Sequence, residues 1–156
     1  MPGNATVASP ASGAGDDAYN LKVVSDEVGA LALDLGMTDT DAATVTTAAN
    51  AIIAAPSGPG SAEICSRVAD LSVDVVVVYG DAQGFAGDLD AFRDDIGLIR
   101  GDHAEEAAAF IQTVDANIDG INKDTATAYA QASQAARVVG CPGPQATPTS
   151  LPHADS

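Results

Sequence analysis

Apolar residues recur at strict three-four spacing in three separate stretches of this chain, and that period belongs to amphipathic helices. The first stretch covers 24–54. Val28, Leu31, Leu35, Thr38, Ala42, Val45, Ala49 and Ile52 share one stripe, with Thr38 its polar member. Ser25 stands where an N-cap belongs, and Asp26 and Glu27 follow where the helix dipole favours acid. The segment "PSGPGS" (56–61) then breaks the period, because proline and glycine stop helices.

The second stripe runs Ile64, Val68, Leu71, Val75, Val78, Ala82, Phe85, Leu89, Phe92, Ile96 and Ile99, apolar throughout. Its valine run has strand propensity, but the unbroken period predicts a helix. Gly80, Gly84 and Gly87 each lower helix propensity by roughly 1 kcal/mol relative to alanine. They are expected to let a neighbouring helix approach closely. The third stripe is Ala104, Ala107, Ile111, Val114, Ile118, Ile121, Thr125, Ala128, Ala132, Ala135 and Val139.

The second and third stripes are out of phase by one residue, and the slip falls at Gly101-Asp102. Gly101 suits the residue just past a helix end. Asp102-His-Ala-Glu105 has capping-box spacing. Arg100 and Glu105 would then sit at the helix ends whose dipoles favour them. These signals predict a break, and hence an all-α, elongated antiparallel helical bundle of three long helices. The alternative is a two-helix hairpin with one very long second helix. With the break, each half is about 37 residues, or roughly 55 Å at 1.5 Å per residue. Folding back brings the start of the second helix to the end of the third. Cys65 lies near the one and Cys141 just past the other, so the spacing favours a Cys65–Cys141 disulfide. The other reading is two unrelated cysteines, one in the seam and one in a tail.

The chain of 156 residues is sized for one domain with tails. Residues 1–18 and the Pro-rich 142–156 read as disordered by composition, leaving 19–141 as the bundle. Hydrophobic residues make up 46% and aromatics only 4%, so the core must be aliphatic and rich in alanine. Acidic residues outnumber basic ones 22 to 6, for a formal charge of −16. Such a surface repels phosphate, which argues against nucleic acid and anionic membranes as partners. The longest apolar run, "VVVVY" (75–79), is far too short to span a bilayer. The N-terminal segment has neither a basic start nor an apolar signal region. Asn4-Ala-Thr6 fits a glycosylation sequon, which has meaning only on a secretory route.

Candidate chemistry is sparse. His103 and His153 are the two histidines. His103 with Asp102 and Glu106 falls short of the three or four convergent ligands a metal needs, and it reads as a solvated first-turn residue. Cys65 and His103 belong at opposite ends of the second helix, so they cannot act as a nucleophile and its base. No phosphate-binding glycine loop is present, and no carboxylate pair stands out from the acidic surface. Asp115, Asn117, Asp119 and Gly120 match the first half of a calcium loop. Ala126 stands where that loop needs a bidentate glutamate, and Ile118 and Ile121 fit the helical stripe. No catalytic residue, cofactor or metal is therefore assigned, with weak calcium binding as an alternative.

The stretch "YNLKVVSDEVGALALDLGMTDTDAATVTTAANAI", the Gly/Pro loop with its nearby cysteine in "APSGPGSAEICSRV", and a long helix closing on "AEEAAAFIQTVDANI" resemble the helical-hairpin substrates of actinobacterial type VII (ESX) secretion. The resemblance covers roughly residues 19–118. It lacks that family's Trp-x-Gly turn and its Tyr-x-x-x-Asp/Glu export signal, with Ile111 four places before Asp115 where the tyrosine would stand. It implies a secreted or envelope protein without a cleaved signal. Such a protein has no enzymatic activity and pairs with itself or a related helical protein, with the export machinery as a further partner. The seam residues Val75, Val78, Phe85, Leu89 and Phe92 are the expected contacts, against the simpler reading that they form the chain's own core. A cytoplasmic, salt-adapted acidic protein is the alternative reading.

Overall fold

The structure is a computed structural model, and it describes residues 14–55 and 58–154. It is an all-α bundle of three long helices, α1 (Ala14–Ile53), α2 (Ala62–Ile96) and α3 (Ala104–Val139), with a short 3-10 turn at Gly101–His103 between the last two. No strand occurs among the described residues. The sequon at Asn4 and residues 1–13 lie outside the described residues.

The helical stripes become the core. It has two clusters, one at each end of the bundle. Around the disulfide, Val45, Ala49 and Ile52 of α1 meet Ile64, Val68 and Leu71 of α2 and Ala128, Ala132 and Ala135 of α3. At the far end Val24 and Leu31 meet Phe85, Leu89 and Phe92 and then Val114, Ile118 and Ile121. The phenylalanines and the alanines thus sit at opposite ends. The two polar members of the stripes are buried but satisfied. Thr38 Oγ1 donates to the Asp34 carbonyl at 2.8 Å and Thr125 Oγ1 to the Asn122 carbonyl at 3.1 Å.

Several boundaries differ from the sequence expectation. α1 begins at Ala14 rather than at a Ser25 cap, with Asp16 and Asp17 in its first turn. Tertiary contacts hold that extension. The Asn20 amide donates to the Leu98 carbonyl at 3.4 Å, and Asp17 lies 3.9 Å from His103. α2 does start as a capped helix, with the Ser61 hydroxyl accepting from the Ile64 N–H at 3.2 Å.

The break between α2 and α3 is real but falls earlier than Gly101. α2 ends at Ile96 with Gly97 as its cap, and Gly101 opens the 3-10 turn. The capping box is not made, because α3 starts after His103 with no side-chain cap bond. Instead His103 Nδ1 lies 2.8 Å from Glu106 Oε2. That contact with Glu106 is the main cause raising the His103 pKa, and the same contact lowers that of Glu106.

Gly80, Gly84 and Gly87 do not mediate close helix packing, since a side chain at any of them would meet nothing within 4 Å. Gly120 is the glycine that does. A Cβ there would lie 2.9 Å from Leu35 Cδ1, so its missing side chain admits Leu35 from α1.

Candidate functional site

The described tail, 142–154, is not loose. It turns back at Gly140, whose positive φ of 71° allows its N–H to close the helix end on the Ala136 and Arg137 carbonyls. A left-handed residue of this kind is a standard helix stop. Cys141 is then bonded to Cys65 across a sequence separation of 76. The Gly60 N–H donates to the Val139 carbonyl beside it. Helix start and helix end are thus fastened at one point, as the spacing predicts.

From there the tail runs along the groove between α2 and α3. α1 packs more extensively on both of these helices than they pack on each other, and the tail occupies the space left between them. The Tyr79 hydroxyl donates to the Ala146 carbonyl at 2.9 Å. Asn122 grips the backbone of Leu151 on both sides, donating to its carbonyl at 3.0 Å and accepting from its N–H at 2.8 Å. Arg93 donates to the Pro152 carbonyl at 2.7 Å. His153 lies 2.7 Å from Asp119, and the Ala154 N–H donates to Asp115 at 2.6 Å. Leu151 and Ala154 pack on the phenylalanine cluster. A cavity of about 410 Å³ remains between Tyr79, Ala86 and Thr125 on the helices and Thr149 and Leu151 on the tail.

The half calcium loop is accounted for by this contact. Residues 115–124 lie inside the continuous helix α3, so alternate oxygens cannot wrap one ion as a loop would. Asp115 and Asp119 hold the tail instead. Among the described residues no group of three or more potential metal ligands comes together.

The expected interaction seam lies in the wrong place for a partner. Val75, Val78, Phe85, Leu89 and Phe92 are all buried in the chain's own core. Their stripe meets α1 and α3, whose matching stripes complete the seam within one molecule. The apolar side chains that α2 turns outward are Val73, Val76 and Val77, at 62%, 59% and 47% exposure. Spacing of three and four puts these three on one face. Beside them a shallow hollow of about 260 Å³ is walled by Pro144 and Ala146 of the tail. On α1, Leu33 and Met37 are likewise exposed.

Carboxyl pairs, which the sequence reading did not single out, are the most unusual chemistry of the molecule. Glu27 of α1 faces Asp95 of α2, Asp34 faces Asp88, and Asp41 faces Asp81. A fourth pair, Asp39 with Asp124, joins α1 to α3. Burial first, then the partner carboxyl, pushes Glu27 and Asp124 up to about 7 and Asp34 and Asp81 up to about 6. One oxygen each of Glu27, Asp34, Asp81 and Asp124 is buried with no donor reaching it. The signal was in the sequence: 27, 34 and 41 are seven apart, and so are 81, 88 and 95. Each immediately precedes a seam residue, where coiled coils usually carry complementary charges.

No helix among the described residues is long and apolar enough to cross a membrane. No protein-family model, curated protein or solved structure matches this chain.

Proposed function

We propose that this chain is a non-enzymatic helical protein, exported or envelope-associated, that works by helix-to-helix association with itself or a related helical protein. The observation that carries this reading is the outward face of α2. Val73, Val76 and Val77 are exposed there, and Gly80 and Gly84 continue the same stripe with open space around them. Exposed valines gain hydrophobic free energy when covered, and glycine lets a second backbone come close. The Cys65–Cys141 bond supports an oxidising compartment, since such bonds are rare in reducing cytoplasm. The resemblance to type VII secretion substrates points the same way, toward export without a cleaved signal.

Light scattering across a wide concentration range tests the association. The native chain is expected to double in mass as concentration rises. The double variant Val73→Asp, Val77→Asp is expected to stay monomeric while keeping its helical content, because both positions are exposed. A native chain that remains monomeric throughout contradicts self-association. The cytoplasmic, salt-adapted reading makes the opposite prediction for the cysteines, namely free thiols in protein taken from its native compartment.

A further inference from the structure

Helix association leaves the carboxyl pairs unexplained. Three of them form one row along the α1–α2 seam. Glu27, Asp34 and Asp41 ascend α1 while Asp95, Asp88 and Asp81 descend α2. The register is the same at every rung, one turn pair apart, so this is a property of the seam and not of one stray contact. Two ionised carboxylates can only accept hydrogen bonds. Side by side they repel, and their buried oxygens stay unsatisfied. One proton per pair removes both defects, because a protonated carboxyl donates to its ionised neighbour.

The described neighbours of the rungs are themselves acidic. Around Glu27 stand Asp95, Asp88 and Asp94. Around Asp34 stand Asp88 and Asp81, and opposite Asp81 stands Asp41. The ion pairs of Lys22, Arg93 and His103 and the His153 contact lie away from the rungs. Lys22 pairs with Asp26, Arg93 with Asp90, His103 with Asp17 and Glu106, and His153 with Asp119. α3 adds only the Asp39–Asp124 pair, with Lys123 nearby. A divalent cation fits poorly, because the rungs supply carboxyls in twos and such an ion wants more ligands.

We propose that the α1–α2 seam is a proton-operated clasp: Glu27/Asp95, Asp34/Asp88 and Asp41/Asp81 each share one proton, which fastens α1 to α2 in mildly acidic surroundings, and losing those protons loosens α1 while the disulfide and the tail keep α2 and α3 together. The sign follows from linkage. Carboxyls that bind protons more tightly folded than unfolded stabilise the fold fully below the ordinary carboxyl range. That contribution is lost as pH rises through the folded values, about 6 to 7. His103, also raised, acts in the same direction at the far end of the bundle.

The test is thermal unfolding of the oxidised full chain between pH 5 and pH 8, at fixed ionic strength with a chelator present. The native Tm is expected to fall by about 10 °C over that range, a shift within reach of a few protons on a domain this size. In the triple variant Asp81→Asn, Asp88→Asn, Asp95→Asn each amide supplies the missing donor. Its Tm is expected to exceed the native value at pH 8 and to lose at least half of the pH dependence. Amide exchange, corrected for its intrinsic pH dependence, is expected to show α1 losing more protection than α3. A flat native Tm, an unchanged slope in the triple variant, or equal loss of protection in α1 and α3 would each overturn the clasp.

Discussion

The two seams that α2 makes are closed in opposite ways. Toward α3 it is tied by a disulfide, by the Gly60–Val139 backbone bond and by a tail whose peptide groups are held by Tyr79, Arg93 and Asn122. Toward α1 the helix packing is more extensive than that between α2 and α3, yet carboxyl faces carboxyl along its edge. The seam with less direct helix packing has the strongest fastenings, and the better-packed seam carries the repulsion. Packing area and security are therefore separate quantities in this molecule. The difference makes α1 the helix that solution conditions can release.

The α2–α3 seam is most sensitive at the disulfide. The double variant Cys65→Ser, Cys141→Ser is expected to lose about 2–5 kcal/mol in urea unfolding, since closing a loop of 76 residues is near the upper range of such effects. If it lost nothing measurable, the α2–α3 seam would not owe its security to the bond. A smaller effect is expected at the tail. Asn122→Ala removes both hydrogen bonds to Leu151 and is expected to cost about 2 kcal/mol at roughly 1 kcal/mol per bond. Fast amide exchange at Leu151 and Ala154 should accompany that loss. Unchanged exchange there would mean that the apolar contacts of Leu151 hold the tail by themselves.

Much of the fold was legible because periodicity carries it. The three stripes became the core almost residue for residue, and the one-residue phase slip marked a real chain reversal. The spacing favoured the cysteine pairing once the break was placed, and Cys65 and Cys141 are bonded. What was not legible depended on contacts between distant residues. Residues 14–23 extend α1 because Asn20 and Asp17 find partners at the α2–α3 turn, and no local cap announces that. The tail looks disordered by composition, yet Asn122 satisfies the backbone N–H and carbonyl of Leu151, 29 positions away in sequence. Asp115 and Asp119 looked like half an ion site because the sequence shows acid spacing and not helix direction. The carboxyl rungs are an intermediate case. Their heptad spacing is plain in the sequence, but only the antiparallel register of α1 and α2 sets acid against acid.

The measurement that bears most directly on this account is the titration of the individual side-chain carboxyl carbons by NMR in the oxidised full chain. Glu27 is expected to titrate near 7 and Asp34 and Asp81 near 6, well above the ordinary range near 4. If all three instead lost their protons near 4, the seam would be fully ionised at neutral pH, no proton would be shared across it, and the contrast between the two seams would not be one of protonation.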